Sequence, residues 1–153
     1  MWNDDYKDML SALCGAGVDF LLVGAYAMAA HGFPRATVDL DLWVAPEPAN
    51  AQRLLEALAV FGAPLQGVAA ADFEHDDTVF QIGVAPRRID LLTGISGVSF
   101  AEAARAAISV EVDGLRVRVL SREHLIQNKL ATGRPRDLDD ARQLARLPQP
   151  SER

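Results

Sequence analysis

FLLVGAYAMAAHGFPRATVDLDLWVAP, residues 20–46, holds two apolar runs of strand length on either side of a glycine turn and a short helix. Residues 20–23 make the first strand and Gly24 the turn. Residues 26–31, rich in alanine and methionine, make the helix, and Gly32, Phe33 and Pro34 stop it. The second strand covers residues 40–44. Side chains alternate faces along a strand, so Asp39 and Asp41 point to one side while Leu40 and Leu42 point into the core. Two carboxylates held side by side repel each other, and a strand gains nothing from that unless a cation neutralises them. A third acid in a strand-like run, Asp90 within RRIDLLTG at residues 87–94, makes three hard oxygen donors suited to a divalent metal.

Working outward, residues 6–16 form an N-terminal helix, capped by Asn3 or Asp4 and closed near Gly15 or Gly17. From Pro48 to Phe61 a helix places Ala51, Leu54, Leu55, Leu58 and Ala59 on one face. Residues 63–77 show no clear period. Residues 78–82 and 88–92 form an antiparallel strand pair. Ser99 and Glu102 have capping-box spacing for a helix over residues 100–107. Asp113-Gly114 is a hairpin turn between strands at 110–112 and 115–119. Ser121 caps a helix that ends at Thr132 and Gly133, and a last helix after Pro135 runs to about Ala145 with Leu138, Ala141, Leu144 and Ala145 inward. These elements predict an α/β fold: a mixed, largely antiparallel twisted sheet with flanking helices. One domain over residues 1–147 is expected, its C-terminal helices at about 121–146 packed on it, with a flexible tail at 148–153.

The 153 residues are enough to bury a core without disulfides, and half of them are hydrophobic. Cys14 is the single cysteine, which excludes an internal disulfide or a cysteine-based zinc site and reads as a small buried residue. No run of about twenty apolar residues occurs, and the first residues are acidic where a secretory signal is basic, which points to the cytoplasm and away from a membrane. The net charge of −6 argues against a protein that coats nucleic acid. Its distribution is uneven: residues 1–86 carry three basic and twelve acidic side chains, residues 87–153 twelve basic and nine acidic. An acidic half that holds metal and a basic half that holds phosphate would suit a nucleoside triphosphate; a solvated surface of mixed charge is the alternative.

An apolar strand, a Gly turn, a short helix, Asp-x-Asp and a later acid on a strand resemble the DNA polymerase beta-like nucleotidyltransferase superfamily. The chain is similar in particular to small bacterial nucleotidyltransferases related to the AbiEii-type toxins. The residues that carry this are His31-Gly32, then Arg35 and Thr37 ahead of the acid pair, and the segment Lys129-Leu130-Ala131-Thr132-Gly133-Arg134-Pro135-Arg136-Asp137. The resemblance implies a minimal nucleotidyltransferase fold in which Asp39, Asp41 and Asp90 are the catalytic, metal-binding carboxylates for two Mg²⁺ ions, with Mn²⁺ as a substitute. It implies an NTP such as ATP as substrate, with Gly24 and Ala25 offering backbone N–H groups to phosphate and Lys129 binding triphosphate oxygens. Arg134 would hold phosphate or the acceptor, or be solvated. Arg35 and Thr37 would touch the nucleotide or hold their loop. The reaction implied is transfer of an NMP to a hydroxyl of RNA or protein in a toxin–antitoxin or phage-defence setting, with a cognate toxin or antitoxin as partner. Ala25 stands where the pattern has Gly or Ser, which removes a hydroxyl and is expected to weaken nucleotide binding. It also supports the alternative, a noncatalytic nucleotide-binding or partner-binding module.

Other polar residues read as structural. His31, His75 and His124 lack metal-ligand spacing. Asp76 and Asp77 form a solvated loop pair, and Asp137 and Asp140 serve as caps or partners of the nearby arginines.

Overall fold

A computed structural model describes residues 2–34 and 39–148. Arg35 and Thr37 lie outside the described residues, as does the tail from residue 149. Asn3 opens α1 (Asp4–Gly15), its side chain accepting from the Tyr6 amide, and α1 leads to β1 (Phe20–Val23). The chain turns at Gly24 directly into α2 (Gly24–Ala30), so this helix begins two residues before the sequence reading has it. β2 (Asp39–Val44) and α3 (Pro48–Phe61) follow. The buried face of α3 is Asn50, Ala51, Leu54, Ala57 and Leu58, while Ala59 is exposed. The expected stripe is therefore displaced, because Asn50 is a fastener: it accepts from the Asp19 amide and donates to the carbonyls of Asp19 and Ala45.

The aperiodic stretch holds a single 3₁₀ turn at Ala70–Phe73. β3 (Val79–Ile82) and β4 (Arg88–Leu92) form the expected antiparallel pair, and Ser99 caps α4 (Phe100–Ala106). β5 (Ile108–Val112) and β6 (Leu115–Val119) make the hairpin, with Asp113 at φ 51° in its turn. α5 (Arg122–Thr132), capped by Ser121, and α6 (Pro135–Arg146) close the chain against each other. Ala145 is exposed, and the inward face of α6 is Asp137, Asp140, Ala141 and Leu144. Two acids take positions that hydrophobic periodicity assigns to apolar residues, because a lysine from α5 meets them there.

The six strands run in the order β3-β4-β2-β1-β6-β5. Three neighbouring pairs are antiparallel; β1 with β6 and β2 with β4 are parallel. Consequently β1 leaves the sheet at the same edge where β2 and β4 enter it. Along β2, Leu40, Leu42 and Val44 are fully buried on one face. Trp43, on the face of Asp39 and Asp41, is covered by Phe100 of α4 with ring centroids 5.1 Å apart. Helices thus shield both sides of the sheet, and the acids stand on its interior strands, beside the point where β1 ends.

A candidate active site at the Gly24 turn

Three strands converge on one patch. Val23, the last residue of β1, is opposite Asp41, and Asp41 is in turn opposite Asp90 across the parallel β2–β4 pair. One step earlier Asp39 is opposite Arg88. Neighbouring strands lie about 4.8 Å apart and alternate residues share a face, so these four charged side chains stand together. Gly24 is inseparable from them. Its φ is +68°, a left-handed value that disfavours side chains, and a Cβ built there would fall 2.3 Å from Asp41 Oδ2 and 3.1 Å from Asp41 Cβ and Cγ. The sequence reading uses the missing Cβ of Gly24 to let backbone N–H groups approach phosphate; the structure adds that Asp41 lies against the same glycine.

The electrostatics follow from this crowding. Burial, then repulsion from Asp90 and Asp39 and a hydrogen bond shared with Asp90, push the Asp41 carboxyl up to about 7, against the attraction of Arg88. Arg88 Nε donates to Asp90 Oδ1 at 2.9 Å and its second arm donates to Asp90 Oδ2 at 3.0 Å. The same Nε is 3.9 Å from Asp39 Oδ2. Arg88 was passed over in the sequence, although its place two residues before Asp90 in a strand already set it on the same face. Behind it, the Tyr6 hydroxyl reaches the carbonyls of Arg88 at 2.9 Å and Pro86 at 3.2 Å, fixing the entry of β4 to α1. Burial, followed by the fields of Tyr26 and Asp39, pushes the Tyr6 phenol up to about 12, with Asn3 opposing.

Lys129 and Arg134 belong to a second cluster. Lys129 Nζ pairs with Asp137 at 3.3 Å and Asp140 at 3.1 Å, and Arg134 Nε donates to Asp137 at 2.7 Å. Thr132 adds a hydrogen bond of 2.6 Å to Asp137. Burial raises the Asp137 carboxyl, but the donors from Thr132, Arg134 and Lys129 outweigh it and hold it at about 2. α5 is also tied to the segment after β4, where Asn128 donates to the Ser96 carbonyl and Gln127 to that of Gly97. His31 donates through Nε2 to the Leu120 carbonyl at 2.8 Å, joining the end of α2 to the end of β6.

Among the described residues no three histidine, cysteine or acidic side chains are already gathered as a cation site. The donors at the Gly24 turn nevertheless suit a hard divalent cation: three carboxylates on adjacent strands, crowded enough to raise one of them, gain from positive charge among them. No described helix is long and apolar enough to cross a membrane.

A mixed sheet with flanking helices and a Gly turn beside strand-borne acids has the nucleotidyltransferase fold. A solved structure from Thermotoga maritima, described as a "putative nucleotidyltransferase", is similar to this chain over 91% of its residues and 89% of that protein's, with a TM-score of 0.57 and 15% sequence identity. The family described as nucleotidyl transferase AbiEii toxin, type IV toxin–antitoxin system, matches residues 8–153. The chain belongs to this AbiEii family and is a nucleotidyltransferase. No curated protein sequence matches it.

Proposed function

We propose that this enzyme moves an NMP from an NTP to an acceptor hydroxyl on RNA or protein, within a toxin–antitoxin or phage-defence system, using divalent cations, Mg²⁺ or Mn²⁺, held by Asp39, Asp41 and Asp90. The observation that carries the reading is the seating of Asp41 against Gly24. The glycine turn and the acid pair, separated in sequence, form one object, in which the turn sets the direction of the carboxylate. Cations bound there would offset the triphosphate charge and help align the attacking and departing oxygens. The chain's own residues do the rest. Asp39 and Asp41 share a face because they are two apart on β2, and Asp90 is brought beside Asp41 by strand register. Gly24 and Ala25, at the start of α2, would offer backbone N–H groups to phosphate. Arg134, whose side chain is 75% exposed, is available to phosphate or to the acceptor. Lys129 is assigned to triphosphate by the family pattern; to do so it must part from Asp137 or Asp140.

The test is incubation with Mg²⁺ and each α-³²P-labelled NTP in the presence of total RNA and cell lysate. Label is expected on RNA or on protein with the wild type and on neither with Asp39→Asn. Label that persists in Asp39→Asn would overturn the assignment of the acids. Its complete absence in the wild type, with NTP binding intact, would favour a noncatalytic module.

A further inference from the structure

The reading of the three aspartates as cation ligands leaves one charged side chain among them without a task. Asp39 facing Arg88 and Asp41 facing Asp90 make a two-by-two grid on one face of the sheet, three positions negative and one positive. Arg88 spreads over both oxygens of Asp90, which is the geometry of a strong charge-assisted pair. While it stays, Asp90 has little to offer a cation. The Arg88 side chain is 35% exposed and that of Asp90 only 11%, so the guanidinium stands on the open side of the acid it covers. It grows from the same strand as Asp90, two residues away, so on leaving the carboxylate it remains at the mouth of the cluster. Among the described residues, Lys129 of the family pattern is engaged with Asp137 and Asp140, and Arg134 reaches Asp137 from an exposed position.

We propose that Arg88 is a displaceable internal counterion: it holds Asp90 while the cluster carries no divalent cation, yields to the cation, and then turns its guanidinium to the phosphates of the incoming nucleotide. The idea rests on the proposed cation site and refines it, since it makes loading ordered, with cation first and phosphate contact after. Arg88 thereby protects a crowded acidic cluster in the empty enzyme and becomes a substrate-binding group in the loaded one.

Calorimetric titration with Mn²⁺ alone, on the wild type, Arg88→Lys, Arg88→Met and Asp41→Asn, tests this without reference to turnover. Removing the competing guanidinium should tighten Mn²⁺ binding in Arg88→Met by about tenfold or more, with Arg88→Lys in between, because a lysine keeps the charge but loses the two-armed grip. The same Arg88→Met protein should bind an NTP more weakly at saturating Mg²⁺. In the wild type, the side-chain Nε–H resonance of Arg88, identified by its loss in Arg88→Lys, should shift on saturation with Mg²⁺. Asp41-dependent Mn²⁺ binding that is equal or weaker in Arg88→Met would overturn this proposal and leave the cation site standing. An Arg88 resonance unmoved at saturating Mg²⁺ would do the same. Failure of both wild type and Arg88→Met to bind Mn²⁺ would remove the cation site and this proposal together.

Discussion

Replacing Gly24 with alanine should damage catalysis far more than folding, and the structure gives both magnitudes. The left-handed backbone at φ +68° costs an L residue about 1–2 kcal/mol. The added methyl would sit 2.3 Å from Asp41 Oδ2, and because Asp41 Cβ and Cγ are also only 3.1 Å away, the whole side chain must yield and not just its tip. A displacement on the order of 1 Å at a reacting centre lowers turnover by about 100-fold. For a chain of this size each kcal/mol moves the melting temperature by about 2–4 °C, so the thermal loss should stay below about 10 °C. Gly62→Ala is the control: φ is +93°, nothing lies within 4 Å of the built Cβ, and the position caps α3 away from the acids. It carries the backbone penalty alone and should keep activity. Melting curves and the labelled-NTP assay on both variants separate the two effects. Wild-type activity in Gly24→Ala, or an equal loss in Gly62→Ala, would refute the argument that this turn sets the direction of Asp41.

Asp41 predicts a pH dependence. Its carboxyl, raised to about 7 by burial and by its acidic neighbours, keeps in the folded state a proton that the unfolded chain has released. Without metal, stability should therefore fall as pH rises from about 4 to about 7. Asp41→Asn should remove that slope, which melting curves across this range would reveal. Asp137 acts in a separate window with the opposite sign: held at about 2, it stabilises the fold above about 4, and that contribution is lost on further acidification, so Asp137→Asn should reduce the acid-limb loss. Lys129→Met removes the ammonium that pairs with the nearly buried Asp137 and Asp140, and should cost up to roughly 3 kcal/mol in denaturant unfolding, since Asp137 keeps Arg134 and Thr132. Adding Asp140→Leu should recover part of that loss. Tyr6→Phe removes the hydroxyl that reaches the Arg88 and Pro86 carbonyls and should cost about 1 kcal/mol in the same measurement.

Local signals carried most of the fold. The glycine turn, the Ser99 and Ser121 caps, the Asp113-Gly114 hairpin and the alternation around Asp39 are each decided by neighbours within a few residues, and they stand in the structure close to where the sequence places them. Long-range pairing was harder to read. Nothing adjacent to Asp137 and Asp140 says that Lys129 meets them, so a periodicity reading filled the inner face of α6 with Leu138 and Ala145. Asn50 was missed for the same reason, since its partners at Asp19 and Ala45 belong to other elements. Within the candidate site, the alignment of Asp39 with Asp41 follows from period two, whereas the contact of Asp41 with Gly24 depends on antiparallel register between β1 and β2. Arg88 could have been read from its spacing to Asp90, but an arginine among acids gives no sign of which carboxylate it takes.

The parallel pairing of β2 with β4 has a consequence for how this protein reaches its working form. Sliding either strand by one residue would turn its charges toward the side now filled by Leu40, Leu42, Ile89 and Leu91 and expose those apolar residues instead. Burying unpaired carboxylates in that layer is far too unfavourable for such a form to persist. The acids therefore have a part in folding itself: they penalise misaligned sheets, so molecules that become stable are those whose three carboxylates already stand side by side.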